Sequence, residues 1–171
     1  MIAPMTRLAP VMLVLLLAAV SAHRTWAGDP AAGTPNVLTI ETAAGKSIAV
    51  SEATIAALAA KTAEIAFETN HGAQHAVFDG PLLWTVLAQS GALAGMTPRE
   101  QVGHVVIVAG RDGYRAALAL GEISPEFEGK SVLLAERMNG TALGAGHWRL
   151  IVPGDHRGGR DVRDVVTITL R

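Results

Sequence analysis

The chain has 171 residues, 14 Lys plus Arg against 15 Asp plus Glu, and no cysteine. After a leader is set aside, that length is one ordinary domain, long enough to bury a core without cross-links. The lack of cysteine excludes disulfides, thiolate nucleophiles, iron–sulfur ligation and cysteine-based zinc sites. The near-balance of charge gives no reason to expect nucleic acid or an anionic membrane as a partner.

The first residues fall into three zones. Arg7 supplies positive charge, 8–20 is an almost unbroken apolar run, and Val20-Ser21-Ala22 and Thr25-Trp26-Ala27 each fit a small-x-small cleavage pattern. That order is a signal peptide, read over 1–27, and it implies a periplasmic or secreted mature protein. The apolar run is short of the roughly 20 residues that span a bilayer. Residues 28–36, with Pro30 and Pro35, read as a flexible leader, and 37–171 as the domain. Removing Arg7 and Arg24 leaves 12 Lys plus Arg against 15 Asp plus Glu.

In chain order, 37–42 and 47–50 read as strands of a hairpin about Ala44-Gly45-Lys46. Ser51 is an N-cap for a short helix that turns Ile55 and Leu58 inward. Residues 63–69 alternate, with Ile65 and Phe67 opposed to Glu64 and Glu68, as in a half-buried strand. A loop over 70–80 is expected to lead to Pro81 as the first residue of a helix. That helix carries Leu82, Leu83, Val86 and Leu87 on one side and stops at Gly91. Residues 104–109 form an apolar strand before a turn at Asp112-Gly113. Strands over 132–136, 148–152 and 162–170 follow, with a turn at Met138-Asn139-Gly140. Many strands joined mainly by hairpins, with two helices, make the class α+β: a single domain of mixed, mainly antiparallel strands with a few short helices.

Candidate chemistry is sparse. Gly140, Gly144 and Gly146 do not make a dinucleotide fingerprint, and no P-loop lysine is present. His71 and His75 have the spacing of two metal ligands on a helix, but Gly72 and the preceding strand favour plain loop histidines, and no metal site is assigned. No serine sits in a nucleophile-elbow context, and no residue is given a catalytic role. Arg157, Arg160 and Arg163 are gathered among Gly154, Gly158 and Gly159, after Arg149. Such arginines either offer planar donor forks to a phosphate or flat heterocycle, or pair with Asp155, Asp161 and Asp164 on a solvated loop.

Four segments in order carry a family resemblance. Val77-Phe78-Asp79-Gly80-Pro81-Leu82-Leu83-Trp84-Thr85-Val86-Leu87, ending in Ser90-Gly91, is similar to the helix entry of the sulfite-oxidase-type molybdopterin-binding domain. Arg111-Asp112-Gly113-Tyr114 within 105–120 resembles that family's Asp-Gly-Tyr strand pair. Leu133-Leu134-Ala135-Glu136-Arg137-Met138-Asn139-Gly140 resembles its Met-Asn-Gly segment. His147-Trp148-Arg149-Leu150-Ile151-Val152-Pro153-Gly154, through Arg160-Asp161-Val162-Arg163, resembles its ending. The resemblance covers about 39–171, and it implies a sulfite-oxidase molybdopterin-domain-like fold.

The family's enzymes hold molybdenum through a pterin dithiolene and one protein cysteine, whose counterpart lies near 69–71. Here the chain reads Glu68-Thr69-Asn70-His71. The resemblance thus implies a pocket for a pterin or molybdopterin-like ligand without molybdenum, as in short exported members of this fold that work with a membrane signalling or redox partner. By motif position it points to His71, Trp148, Arg149, Arg157 and Arg160 as ligand contacts, with Asp112 and Tyr114 behind them, while Trp84 belongs to the core. The alternatives are a molybdopterin oxidoreductase lacking the usual cysteine, for which His71 is the one plausible substitute, and a ligand-free docking domain.

Overall fold

The computed structural model describes residues 36–69 and 72–171. The signal peptide read over 1–27, most of the 28–36 leader, and His71 lie outside the described residues.

β1 (Val37–Glu41) and β2 (Ser47–Ser51) form the expected hairpin, closed where the Thr42 N–H donates to the Lys46 carbonyl at 2.8 Å. Ser51 caps α1 (Glu52–Ala56): its Oγ accepts from the Thr54 N–H at 3.2 Å, and Ile55 is fully buried. The next segment departs from expectation. β3 (Ala60–Thr69) runs directly against β4 (Gly72–Pro81) in register from Ala60↔Pro81 to Thr69↔Gly72. The loop expected over 70–80 is therefore mostly a strand. Its polar sequence carries little strand propensity, but β3 satisfies its backbone hydrogen bonds along the whole length, and tertiary pairing overrides propensity.

Pro81 consequently ends a strand instead of opening a helix. α2 (Leu83–Gln89) starts after Leu82, buries Leu83, Val86 and Leu87, and stops at Ser90 and Gly91 as its sequence indicates. A helix not read from the sequence follows, α3 (Pro98–Gln101), with a complete capping box between Thr97 and Glu100. Then come β5 (Val105–Gly110), β6 (Arg115–Ala119), α4 (Leu120–Ile123) and β7 (Leu133–Ala135). β8 (Arg137–Met138) and β9 (Thr141–Ala142) are joined by Asn139 and Gly140, both at positive φ. The predicted Met-Asn-Gly turn thus closes a miniature hairpin, while β7 pairs with the later β10 (Arg149–Ile151). A 3-10 turn at Gly158–Arg160 precedes β11 (Val165–Leu170).

The five-stranded sheet has the order β2-β1-β11-β5-β6, with β1 and β11 parallel and the other neighbours antiparallel. Leu38, Ile40, Val106, Val108, Ile168 and Leu170 belong to the main core, which also takes in Ile55, the α2 leucines, Leu120 and Ile123. β3-β4-β8-β9 form a second sheet, and β10-β7 a ribbon of their own. That ribbon is buried on both faces. Leu134 and Leu150 enter the main core, while Leu133, Ala135 and Ile151 join Ile65 and Phe78 in a smaller one. Short continuous apolar runs are what doubly covered strands require. Gly80 makes the junction possible, because a Cβ there would lie 2.3 Å from the Leu134 carbonyl oxygen.

Candidate functional site

The sequence-predicted contacts converge only in part. Arg149, leaving β10, is committed to Asp161: its Nε donates to Oδ1 at 2.5 Å and its Nη2 to Oδ2. Its guanidinium also lies 5.1 Å from the Phe78 ring centroid, a cation–π arrangement. Arg160 is held by Asp155, through Nε–Oδ2 at 2.9 Å and Nη2–Oδ1 at 2.5 Å, and by Glu122 at 3.1 Å. The Asp155 hydrogen bonds, with Glu122 behind them, raise the Arg160 pKa above its ordinary value. Two of the loop's acidic residues thus take arginines, which is the pairing alternative. Asp164 pairs with His147 instead.

The Asp112 carboxylate accepts from the Tyr114 N–H at 2.9 Å and closes the β5–β6 turn. The Tyr114 hydroxyl donates to the Gly159 carbonyl at 2.6 Å, so Asp-Gly-Tyr anchors the glycine loop. Trp148 is 2 % exposed and belongs to the main core, so little of its indole is open to a ligand. Trp84 packs against the same core from a half-buried position. Arg157 is exposed and makes no ion pair with a described residue, beside a cavity of only about 10 Å³ lined by Ile65, Ile151, Asp155 and Asp161. A flat heterocycle does not fit that space.

More room lies beside Trp148. A hollow of about 280 Å³ is lined by Glu52, Glu136, Arg137, Gly144, His147 and Trp148 among others. A second hollow of about 120 Å³ shares His147 and Trp148 with it and adds Arg149, Arg163 and Asp164. The larger of the two approaches the lower end of the size range of small-molecule sites. Glu136 is fixed by its position just after β7, its N–H donating to the Asp79 carbonyl at 2.9 Å. Burial raises its carboxyl pKa, Glu52 adds to the rise, and a hydrogen bond from Trp148 opposes it. His147 Nδ1 lies 2.5 Å from Asp164 Oδ1, and both side chains are about half exposed. Asp164 adopts φ +48, a left-handed conformation that Asp tolerates better than most residues.

Glu136, Arg137, His147 and Asp164 were not singled out as site residues in the sequence. The first three do fall inside or at the edge of the Met-Asn-Gly and late-strand motifs, which was the available signal.

This architecture is of the sulfite-oxidase molybdopterin-domain type, a mixed, mainly antiparallel α+β fold. The chain is similar in structure to the sulfane dehydrogenase SoxCD from Paracoccus pantotrophus, with a TM-score of 0.61 and 19 % identity, over 79 % of this chain and 38 % of that one. At that identity the likeness defines the fold, and the chain spans well under half of that protein's length. No protein-family model and no curated protein sequence matches the chain. The donor set does not fit a thiolate-held molybdenum, because the chain has no cysteine. Among the described residues no three His, Asp or Glu side chains are grouped to hold a metal.

Proposed function

We propose that this protein is an exported binding module for a pterin or a related flat heterocycle, working without molybdenum beside a membrane signalling or redox partner. The observation that carries the reading is the hollow in which Glu136 and Arg137 face one small space beside His147 and Trp148. A pterin presents two parallel N–H donors on its pyrimidine edge and acceptors at O4 and N5. A carboxylate suits the first edge and a guanidinium the second, and charge-assisted bonds of this kind are the strong ones. Fold likeness to SoxCD supports the ligand class, and the export-type leader supports the location. The oxidoreductase alternative gains no metal donor from the described residues.

The test is calorimetric titration of neopterin into wild type, Glu136→Gln and Arg137→Ala, with mass spectrometry of any small molecule that copurifies. Leaving a desolvated ligand edge unpaired costs about 1–3 kcal/mol, so each variant should bind about five- to a hundredfold more weakly. Absence of wild-type binding at high micromolar neopterin, with nothing copurifying, would refute the reading.

A further inference from the structure

A further hollow opens at the β1–β2 turn and shares no lining residue with the two beside Trp148. It measures about 390 Å³, within the size range of small-molecule sites. Its walls come from that turn, from the loop after α2, and from α3 with the position of His104 just beyond it. The loop turns at Gly91 and Gly95, both at φ +79. The apolar part of the lining is Ile48, Ala92 and Met96. Ala92 is buried, and the other two are half-buried where they pack against the main core.

Three ionisable side chains border this apolar lining: Lys46, Glu100 and His104. The capping box of α3 holds Glu100, whose Oε2 accepts from the Thr97 N–H at 2.8 Å and from its hydroxyl at 2.7 Å. Its Oε1 has no partner among the described residues. His104 stands beside it, with Nδ1 donating to the Glu100 carbonyl at 2.7 Å. Lys46 is exposed and forms no ion pair with a described residue, Glu100 included. A cation and an anion thus border one apolar hollow without meeting. A ligand with a single charge would answer one of them, and an uncharged ligand neither.

We infer that this hollow binds a free α-amino acid with an aliphatic side chain. Its carboxylate meets Lys46, its ammonium meets Glu100 Oε1, and its side chain lies on Ile48 and Met96. Charge-assisted contacts fix the head group, and removal of aliphatic surface from water holds the tail. Both charged residues are exposed, so the head group keeps part of its hydration and the expected Kd is about 1 mM. The inference does not depend on the pterin reading.

The test is titration of isotope-labelled protein with L-leucine, followed through backbone amide NMR shifts. Three analogues run beside it: isocaproate lacks the ammonium, isoamylamine lacks the carboxylate, and glycine lacks the side chain. Leucine should move amides within 42–48 and 91–104 along one saturable curve, and each analogue should bind at least about fivefold more weakly. Lys46→Met should weaken leucine by a similar factor and leave isoamylamine unchanged. Glu100→Gln keeps an acceptor for the capping box, so the helix start survives while the charge is lost. It should weaken leucine and leave isocaproate unchanged, a crossover that a merely structural role would not produce. No saturable shift by about 20 mM leucine, or shifts confined to other residues, would overturn the site. An analogue that binds as well as leucine, or a variant without the crossover, would overturn the zwitterion assignment. Neopterin titrated into the same protein reports on the pterin reading separately.

Discussion

Arg149 and Asp161 are joined through both ends of the guanidinium fork, with side chains only 12 % and 10 % exposed. The pair ties β10 to the segment leading into β11, and Phe78 covers the cation from the second sheet. Such a pair is a poor source of net stability relative to an apolar substitute, yet breaking it leaves a charge with no partner in a dry place. Arg149→Ala and Asp161→Ala should therefore each destabilise the domain by about 3–5 kcal/mol. Urea unfolding monitored by tryptophan fluorescence checks this, and a loss below about 1 kcal/mol for both would contradict it.

Arg160 behaves differently because it is more exposed and is shared between Asp155 and Glu122, the latter also bound by Lys130 at 3.0 Å. Its replacement by alanine should cost about 1.5–3 kcal/mol, the range for hydrogen bonds to charged groups, and the cost should shrink in high salt. Neopterin affinity should change little, since the guanidinium is occupied within the protein. A large affinity loss with unchanged stability would return Arg160 to the ligand site.

The difference between what was legible and what was not follows from the range of the interactions. Ser51 capping α1 and the turn at Ala44-Gly45-Lys46 between β1 and β2 are local, and both are readable from a few residues. Thr97 with Glu100 is also local, but α3 is one turn long and lacks an apolar stripe, so the periodic signal was absent. β4 is polar and is a strand because β3 lies beside it, which no local pattern encodes. At the site, Arg160 meets Glu122 across 38 positions of sequence, and Trp148 is buried by residues from several elements. Sequence could place these side chains in one motif. It could not show that the arginines were already taken, or that the indole closes a hollow from inside the core.

Tyr114 is 48 % exposed, yet its hydroxyl reaches the Gly159 carbonyl. Tyr114→Phe deletes that bond and little packing. The expected cost is about 0.5–1.5 kcal/mol, with faster amide hydrogen exchange at residues 158–161 and unchanged exchange in the five-stranded sheet. Equal exchange in both proteins would mean that the loop is held by its arginine pairs alone.

Glu136 makes stability depend on pH in the direction opposite to most acidic side chains. Its folded pKa is raised from an ordinary 4.5, first by burial and then by Glu52, despite the opposing Trp148 hydrogen bond. Between 4.5 and the raised value the folded state binds more protons than the unfolded state, so stability falls as pH rises through that window. Its favourable contribution is full below 4.5 and is lost once the folded carboxyl ionises. Glu100 works the other way: hydrogen bonds from Thr97 lower its pKa below 4.5, so its contribution is present above 4.5 and is lost on acidification. The two windows lie on opposite sides of 4.5 and can be separated in one series of unfolding measurements. Glu136→Gln retains an acceptor for the Trp148 indole and removes the titration. It should flatten the decline above 4.5 and leave the acid limb intact. Glu52→Gln should flatten it only in part, because Glu52 is a lesser cause than burial. A decline of unchanged slope in Glu136→Gln would show that another group titrates there.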